Sequence, residues 1–154
     1  MTTGYVTGTF DPVTEGHIFL LRETVRLFGN AVALVLINPD KACEFSLENR
    51  MEFLRLATED MPEVSVAFYH GFAVDYVNLN GGGIIVRGVR GEADFEYEAE
   101  MARVNKEIGG VETFILHSPD ALVHLSSTTV REGISRGNYD GLPEKVADAI
   151  QKGA

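Results

Sequence analysis

Short, almost wholly apolar runs alternate with longer amphipathic stretches along this chain, and that alternation limits the fold more than any other feature. The apolar runs are Tyr5-Val6, Ala31 to Ile37, Val64 to Phe68, Ile84 to Val86 and Thr113 to Leu116. A strand that is apolar on both sides must be covered on both sides, which is the environment of a parallel sheet between helical layers. The intervening segments supply the helices. His17 to Phe28 carries Ile18, Leu21, Val25 and Phe28 at spacings near 3.6 residues, and Leu47 to Thr58 follows a capping Ser46. Ala73 to Leu79, Phe95 to Ile108, Ser126 to Ser135 and Glu144 to Gln151 complete the set. The expected fold is α/β and Rossmann-like: a parallel sheet with helices on both faces, one domain over residues 1–154. In such sheets ligands bind at the carboxyl ends of strands, where loops feed helix N-termini.

Four loops there carry chemistry. Thr7-Gly8-Thr9-Phe10-Asp11-Pro12-Val13-Thr14-Glu15-Gly16-His17 joins the first strand to the first helix. Its amides, backed by the helix dipole, suit an anion, and His17 in the first turn offers a ring N–H to a phosphate oxygen. The plainer alternative is a joint in which Thr14 caps the helix and His17 is only exposed. Arg87-Gly88-Val89-Arg90-Gly91 follows the fourth apolar run and presents two guanidinium forks. Its alternative is a pair of solvated arginines matched to Glu92, Asp94, Glu96 and Glu98. Leu125-Ser126-Ser127-Thr128-Thr129-Val130-Arg131-Glu132 opens a helix with a row of hydroxyls. Capping uses such residues too, but Ser127 and Glu132 lack capping-box spacing, and Ser127 and Thr128 are expected to contact ligand. Asn38-Pro39-Asp40-Lys41 places a mobile cation after the second strand, where an ordinary exposed lysine fits equally well. Gly81-Gly82-Gly83 precedes its strand and reads as a turn.

Thirteen basic against twenty-three acidic residues give a net charge of −10. That balance argues against nucleic acid or an anionic membrane surface as partner, since both are bound by massed Lys and Arg. A small phosphorylated ligand needs only a local focus of cations. No apolar run approaches the ~20 residues of a membrane span, and Met1-Thr2-Thr3-Gly4 lacks the basic flank of a signal peptide. Cys43, the only cysteine, fits a reducing compartment, so a cytoplasmic location is expected. His70, His117 and His124 show no metal-ligand spacing.

Gly8-Thr9-Phe10-Asp11-Pro12…Gly16-His17, Arg87-Gly88-x-Arg90 with Asp94 to Glu98, and Ser126-Ser127-Thr128 occur in an order and spacing that resembles the bacterial phosphopantetheine adenylyltransferase family over nearly the whole chain. The resemblance implies transfer of AMP from ATP to 4′-phosphopantetheine, giving dephospho-coenzyme A and pyrophosphate with Mg2+, in a homohexamer. It implies catalytic roles for His17, Thr9, Lys41, Arg90 and Ser127. It implies nucleotide contacts from Thr9, Phe10, His17, Gly88, Val89, Arg90 and Glu98, and from Leu122, Val123, His124, Leu125, Ser126, Ser127 and Thr128. Thr9, Lys41, Ala73, Arg87 and Asn105 would face phosphopantetheine. No protein metal site is implied; magnesium would come through the ATP phosphates. The chain departs from the family's usual residues at Val6-Thr7, Ala42-Cys43, Phe72-Ala73, Gly91-Glu92 and Leu122, mostly on the acceptor side. Two alternatives remain: a related adenylyl- or cytidylyltransferase with another phosphorylated acceptor, or a nucleotide-binding protein that has lost catalysis.

Overall fold

Alternation along the strands decides which residue meets which helical layer. In a computed structural model describing residues 2–153, the strands are β1 (Gly4–Gly8), β2 (Ala31–Leu36), β3 (Val64–Tyr69), β4 (Ile84–Val89) and β5 (Thr113–His117). The helices are α1 (Glu15–Phe28), α2 (Leu47–Ala57), α3 (Ala73–Leu79), α4 (Glu92–Gly109), α5 (Ser127–Ser135) and α6 (Glu144–Gln151), with one 3-10 turn at Asp120–Leu122. All strand pairs are parallel, in the order β3-β2-β1-β4-β5. Val6, Ala33, Val35 and Val86 pack on one side against Ile18 and Leu21 of α1, Phe53 and Leu54 of α2, Val130 of α5 and Val146 of α6. Their strand neighbours Tyr5, Leu34 and Ile85 point the other way, onto Val74 and Val77 of α3. The α/β Rossmann-like expectation is met.

The chain leaves β1 through α1 toward β2, and leaves β4 through α4 toward β5. The loops after these adjacent strands therefore diverge and open a crevice at their carboxyl ends, the usual ligand position in open α/β sheets. Among the described residues no helix is long and apolar enough to cross a membrane.

Differences from the expected boundaries have local causes. Strand β4 runs on to Val89, so Arg87 and Gly88 lie within the strand's end and only Arg90 follows it. Helix α4 begins at Glu92 rather than Phe95, its first turn carrying Glu92 and Asp94 where the dipole favours acids. Ile18 and Leu21 are buried as the periodicity indicates, while Val25 and Phe28 pack at the core's edge. Gly81, Gly82 and Gly83 form the expected turn with φ of 90°, 91° and 156°.

The position of α1 over the sheet is set by close packing. A Cβ on Gly4 would lie 2.2 Å from Thr24 Cγ2, and one on Gly88 2.9 Å from Leu20. Thr24 cannot easily turn away, because its hydroxyl donates to the Leu20 carbonyl at 2.6 Å and is fully buried. Gly4→Ala should therefore destabilise the protein by about 1–3 kcal/mol through overpacking, with Thr24→Ser recovering part of the loss. Urea unfolding of the single and double variants checks this; an unchanged midpoint in Gly4→Ala would mean that α1 can simply back away.

Candidate active site

The first turn of α1 fixes the orientation and the tautomer of His17. Thr14 caps the helix, its hydroxyl accepting from the His17 amide at 3.4 Å, while the Thr14 amide donates to His17 Nδ1 at 3.0 Å. A backbone N–H can only donate, so Nδ1 holds a lone pair and the neutral ring carries its proton on Nε2. Burial pushes the imidazole pKa down from 6.5 to about 4, and the Arg87 charge adds to the shift. The ring stays neutral at physiological pH with one N–H to offer. Phe10 lies against it, ring centroids 4.6 Å apart, with its own ring buried. Phe10 also adopts φ 52°, a left-handed conformation that costs a bulky residue about 1 kcal/mol. Thr14 caps the helix as the plainer alternative has it, but His17 is half-buried against Phe10 and not simply exposed.

This turn borders a cavity of about 390 Å³ at the ends of β1 and β4. Thr9, Phe10, His17, Lys41, Arg87, Gly88, Arg90, Ser127 and Thr128 all line it. Lys41 Nζ donates to Thr9 Oγ1 at 3.3 Å. The two arginines are each held by an acid of α4, one turn apart. Glu98 accepts from Arg87 Nε at 3.0 Å and Nη2 at 2.8 Å, and Arg87 Nη1 donates to the Thr7 carbonyl at 2.6 Å. Asp94 pairs with Arg90 Nε at 3.2 Å. Two of the acids in the Glu92 to Glu98 stretch do match the arginines, and both arginines still reach the cavity. A Cβ on Gly88 would crowd the Leu20 side chain of α1, which would have to shift to make room.

Arg131 stands within the hydroxyl-rich segment that opens α5 but carries no expected role there. It lines the same cavity, its Nη1 donating to the Asp11 carbonyl at 2.7 Å and its Nη2 to Thr128 Oγ1 at 3.2 Å. Its signal was present, since position 131 lies one helical turn after Ser127 and so on the same face of α5. Four cations, Lys41, Arg87, Arg90 and Arg131, thus line a space to which, among the described residues, Asp11 is the one acid contributed.

The remaining expected residues lie elsewhere. Ala73, Asn105 and Glu98 line an adjoining cavity of about 240 Å³, which shares Thr7 and Arg87 with the first and is rimmed by Phe72, Tyr97 and Met101. Leu122, His124 and Leu125 line a third, of about 430 Å³, on the other side of α5. Val123 is exposed, and Val89 is fully buried with its carbonyl accepting from Ser118. Ser126 is occupied as the N-cap of α5, in a capping box with Thr129 that the sequence reading had not foreseen. Ser127 Oγ donates to the Pro12 carbonyl at 3.0 Å, tying α5 to the first loop. Cys43 is a free, half-buried thiol.

A parallel sheet with a cation-lined cleft over its switch point, and a neutral imidazole at the mouth of a helix, defines a nucleotide-handling α/β protein. Residues 5–133 match the model of the cytidylyltransferase-like family. The chain is 45% identical over 126 residues to a phosphopantetheine adenylyltransferase of Symbiobacterium thermophilum, covering 81% of this chain and 78% of that one. It is 37% identical to the phosphopantetheine adenylyltransferase of Caldanaerobacter subterraneus subsp. tengcongensis and 35% to that of Clostridium novyi, each match covering 94% of this chain and 92% of the relative. The chain belongs to the cytidylyltransferase-like family and, within it, to the phosphopantetheine adenylyltransferases.

A tautomer fixed by a backbone amide is directly measurable. Nitrogen-detected NMR of the His17 ring should show the Nε2–H form with no titration between pH 8 and about 5; a midpoint near the ordinary value of 6.5 would contradict the assignment.

Proposed function

We propose that the protein transfers the adenylyl group of ATP to 4′-phosphopantetheine, forming dephospho-coenzyme A and pyrophosphate. The observation that carries this reading is the neutral, Nε2-protonated His17 facing a cavity lined by Lys41, Arg87, Arg90 and Arg131. The acceptor is a phosphomonoester, mostly dianionic near neutral pH because its second pKa is about 6, so no general base is needed. One of its oxygens attacks the α-phosphorus of ATP, the new P–O bond forms, and the bond to the pyrophosphate oxygen breaks. Charge on the α-phosphoryl oxygens is met by the His17 Nε2–H, and charge on the leaving group by Arg90 and Arg131. A neutral donor suits this role, because a hydrogen bond to it strengthens as oxygen charge grows and no proton has to be lost. Lys41 and Arg87 serve the acceptor phosphate. The adjoining cavity, with Ala73 and Asn105 on its wall and apolar Phe72, Tyr97 and Met101 around it, receives the acceptor's arm.

Magnesium enters with the triphosphate. Among the described residues no three His, Cys, Asp or Glu side chains converge to hold a metal, and the cavity's one acid, Asp11, has both oxygens on backbone amides. Bound to the phosphates, the ion would neutralise part of their charge. A cytoplasmic location is supported by the lone Cys43 and by the biosynthetic role. A homohexamer is supported by the resemblance and by apolar side chains left exposed on α3 and α4, among them Leu79, Tyr97 and Ile108.

Pyrophosphate release from ATP or CTP with candidate phosphorylated acceptors tests the reaction. Release with ATP and phosphopantetheine is expected, and activity only with another nucleotide or acceptor would replace this reading. His17→Ala should keep the fold and ATP binding while lowering kcat by about 10²–10³. Near-normal turnover in that variant would remove His17 from the chemistry.

A further inference from the structure

We propose that Asp11 is a positioning residue for Lys41: its carboxylate latches the β2–α2 loop onto the β1–α1 loop and so brings the lysine to Thr9. The inference rests on the reaction proposed above. Asp11 is buried to 3% exposure although it carries a charge and borders the cavity. An ionised carboxylate at such a position needs strong hydrogen-bond partners, and it has them in one place. Oδ2 accepts from the Glu44 amide and Oδ1 from the Phe45 amide, each at 2.9 Å. The nearest cation is Arg131, 3.7 Å from Oδ2, and its hydrogen bond goes to the Asp11 carbonyl instead. Both carboxylate oxygens are thus committed to the amides of the β2–α2 loop.

Arg50 completes the latch from the other side. This buried side chain donates to the Phe45 carbonyl at 3.1 Å and to the Thr9 carbonyl at 3.0 Å. Two charged side chains, Asp11 on the β1–α1 loop and Arg50 in the first turn of α2, thus cross-brace residues 9–11 against residues 44–50. The consequence for chemistry lies three residues earlier. Lys41 sits on the exposed stretch between the end of β2 and this latch, and its only side-chain bond among the described residues is to Thr9 Oγ1. An unlatched loop would leave a long, flexible cation free to sample water, and ordering it again would cost entropy at each turnover.

Replacement by asparagine isolates this role. Asn keeps the shape but turns one acceptor into an NH2 group facing an amide N–H. Asp11→Asn should lower kcat/KM for phosphopantetheine about 10- to 100-fold, the ratio that losing a charge-assisted hydrogen bond gives. The decisive comparison is made in a Lys41→Ala background. There, Asp11→Asn should cost less than about threefold further, because the group that it positions is already gone. Full additivity of the two losses would overturn the proposal, since a purely structural or directly ligand-binding Asp11 acts whether or not Lys41 is present. Hydrogen exchange on the unmodified protein gives a second arm independent of activity and of variant folding. The Glu44 and Phe45 amides should exchange much more slowly than those of Ala42 and Cys43, which donate no hydrogen bond among the described residues, and equal rates would equally overturn the latch. An active wild-type enzyme with additive losses refutes the latch alone, whereas an inactive wild type refutes the proposed reaction.

Discussion

The hydrogen bond from the Thr14 amide to His17 Nδ1 joins the folding of this chain to its chemistry. An α-helix begins with amides that lack intrahelical partners, and here one capping pattern satisfies two of them with the side chains of Thr14 and His17. The same bond fixes which ring nitrogen keeps its lone pair, while burial, aided by the Arg87 charge, lowers the pKa from 6.5 to about 4. The imidazole that results is a donor with a fixed direction. Helix α1 in turn is held where it is by the glycines at positions 4 and 88, which let it approach the two central strands closely. Moving the helix would move His17 relative to the loops after both strands.

Charge around the site is arranged by pairing. The chain as a whole carries −10, yet the cavity is cationic because each nearby acid is already engaged. Glu98 and Asp94 hold Arg87 and Arg90, and Asp11 is bound to amides. Glu98 is the one buried residue of the eighteen-residue α4, so its bidentate pair orients the helix and the arginine together. A free carboxylate in the cleft would compete with the phosphates for these cations. A paired one holds each guanidinium while leaving other N–H groups for a ligand, since a guanidinium has five.

Much of this could be read from residue order. Alternating apolar runs and helical patterns were enough for the parallel sheet, and the strand–loop–helix placement of Gly8 to His17 marked the crevice. What was not legible depends on contacts distant in sequence. Thr14 and His17 were visible separately, but the shared bond that sets the tautomer requires the first turn's geometry. The acids from Glu92 to Glu98 were legible as possible partners for the arginines, but which acid meets which arginine depends on how α4 packs against β4. Asp11 and Arg131 lie 120 residues apart, and Asp11 reaches residues 44 and 45 through space. Ser126 was read with the ligand-contact row, and its partner in the capping box, Thr129, stands three residues on, at the usual spacing, with a threonine in place of the acid or amide expected there.

The reaction proposed for this site works by positioning and by neutralising charge, with neither a covalent intermediate nor a general base. The stereochemical course at the transferred phosphorus tests that claim most directly. ATP made chiral at the α-phosphorus, with sulfur in place of one non-bridging oxygen, would be turned over and the configuration of the product determined. A single in-line displacement by the acceptor phosphate predicts inversion. Retention would require an adenylylated enzyme intermediate and would contradict the account.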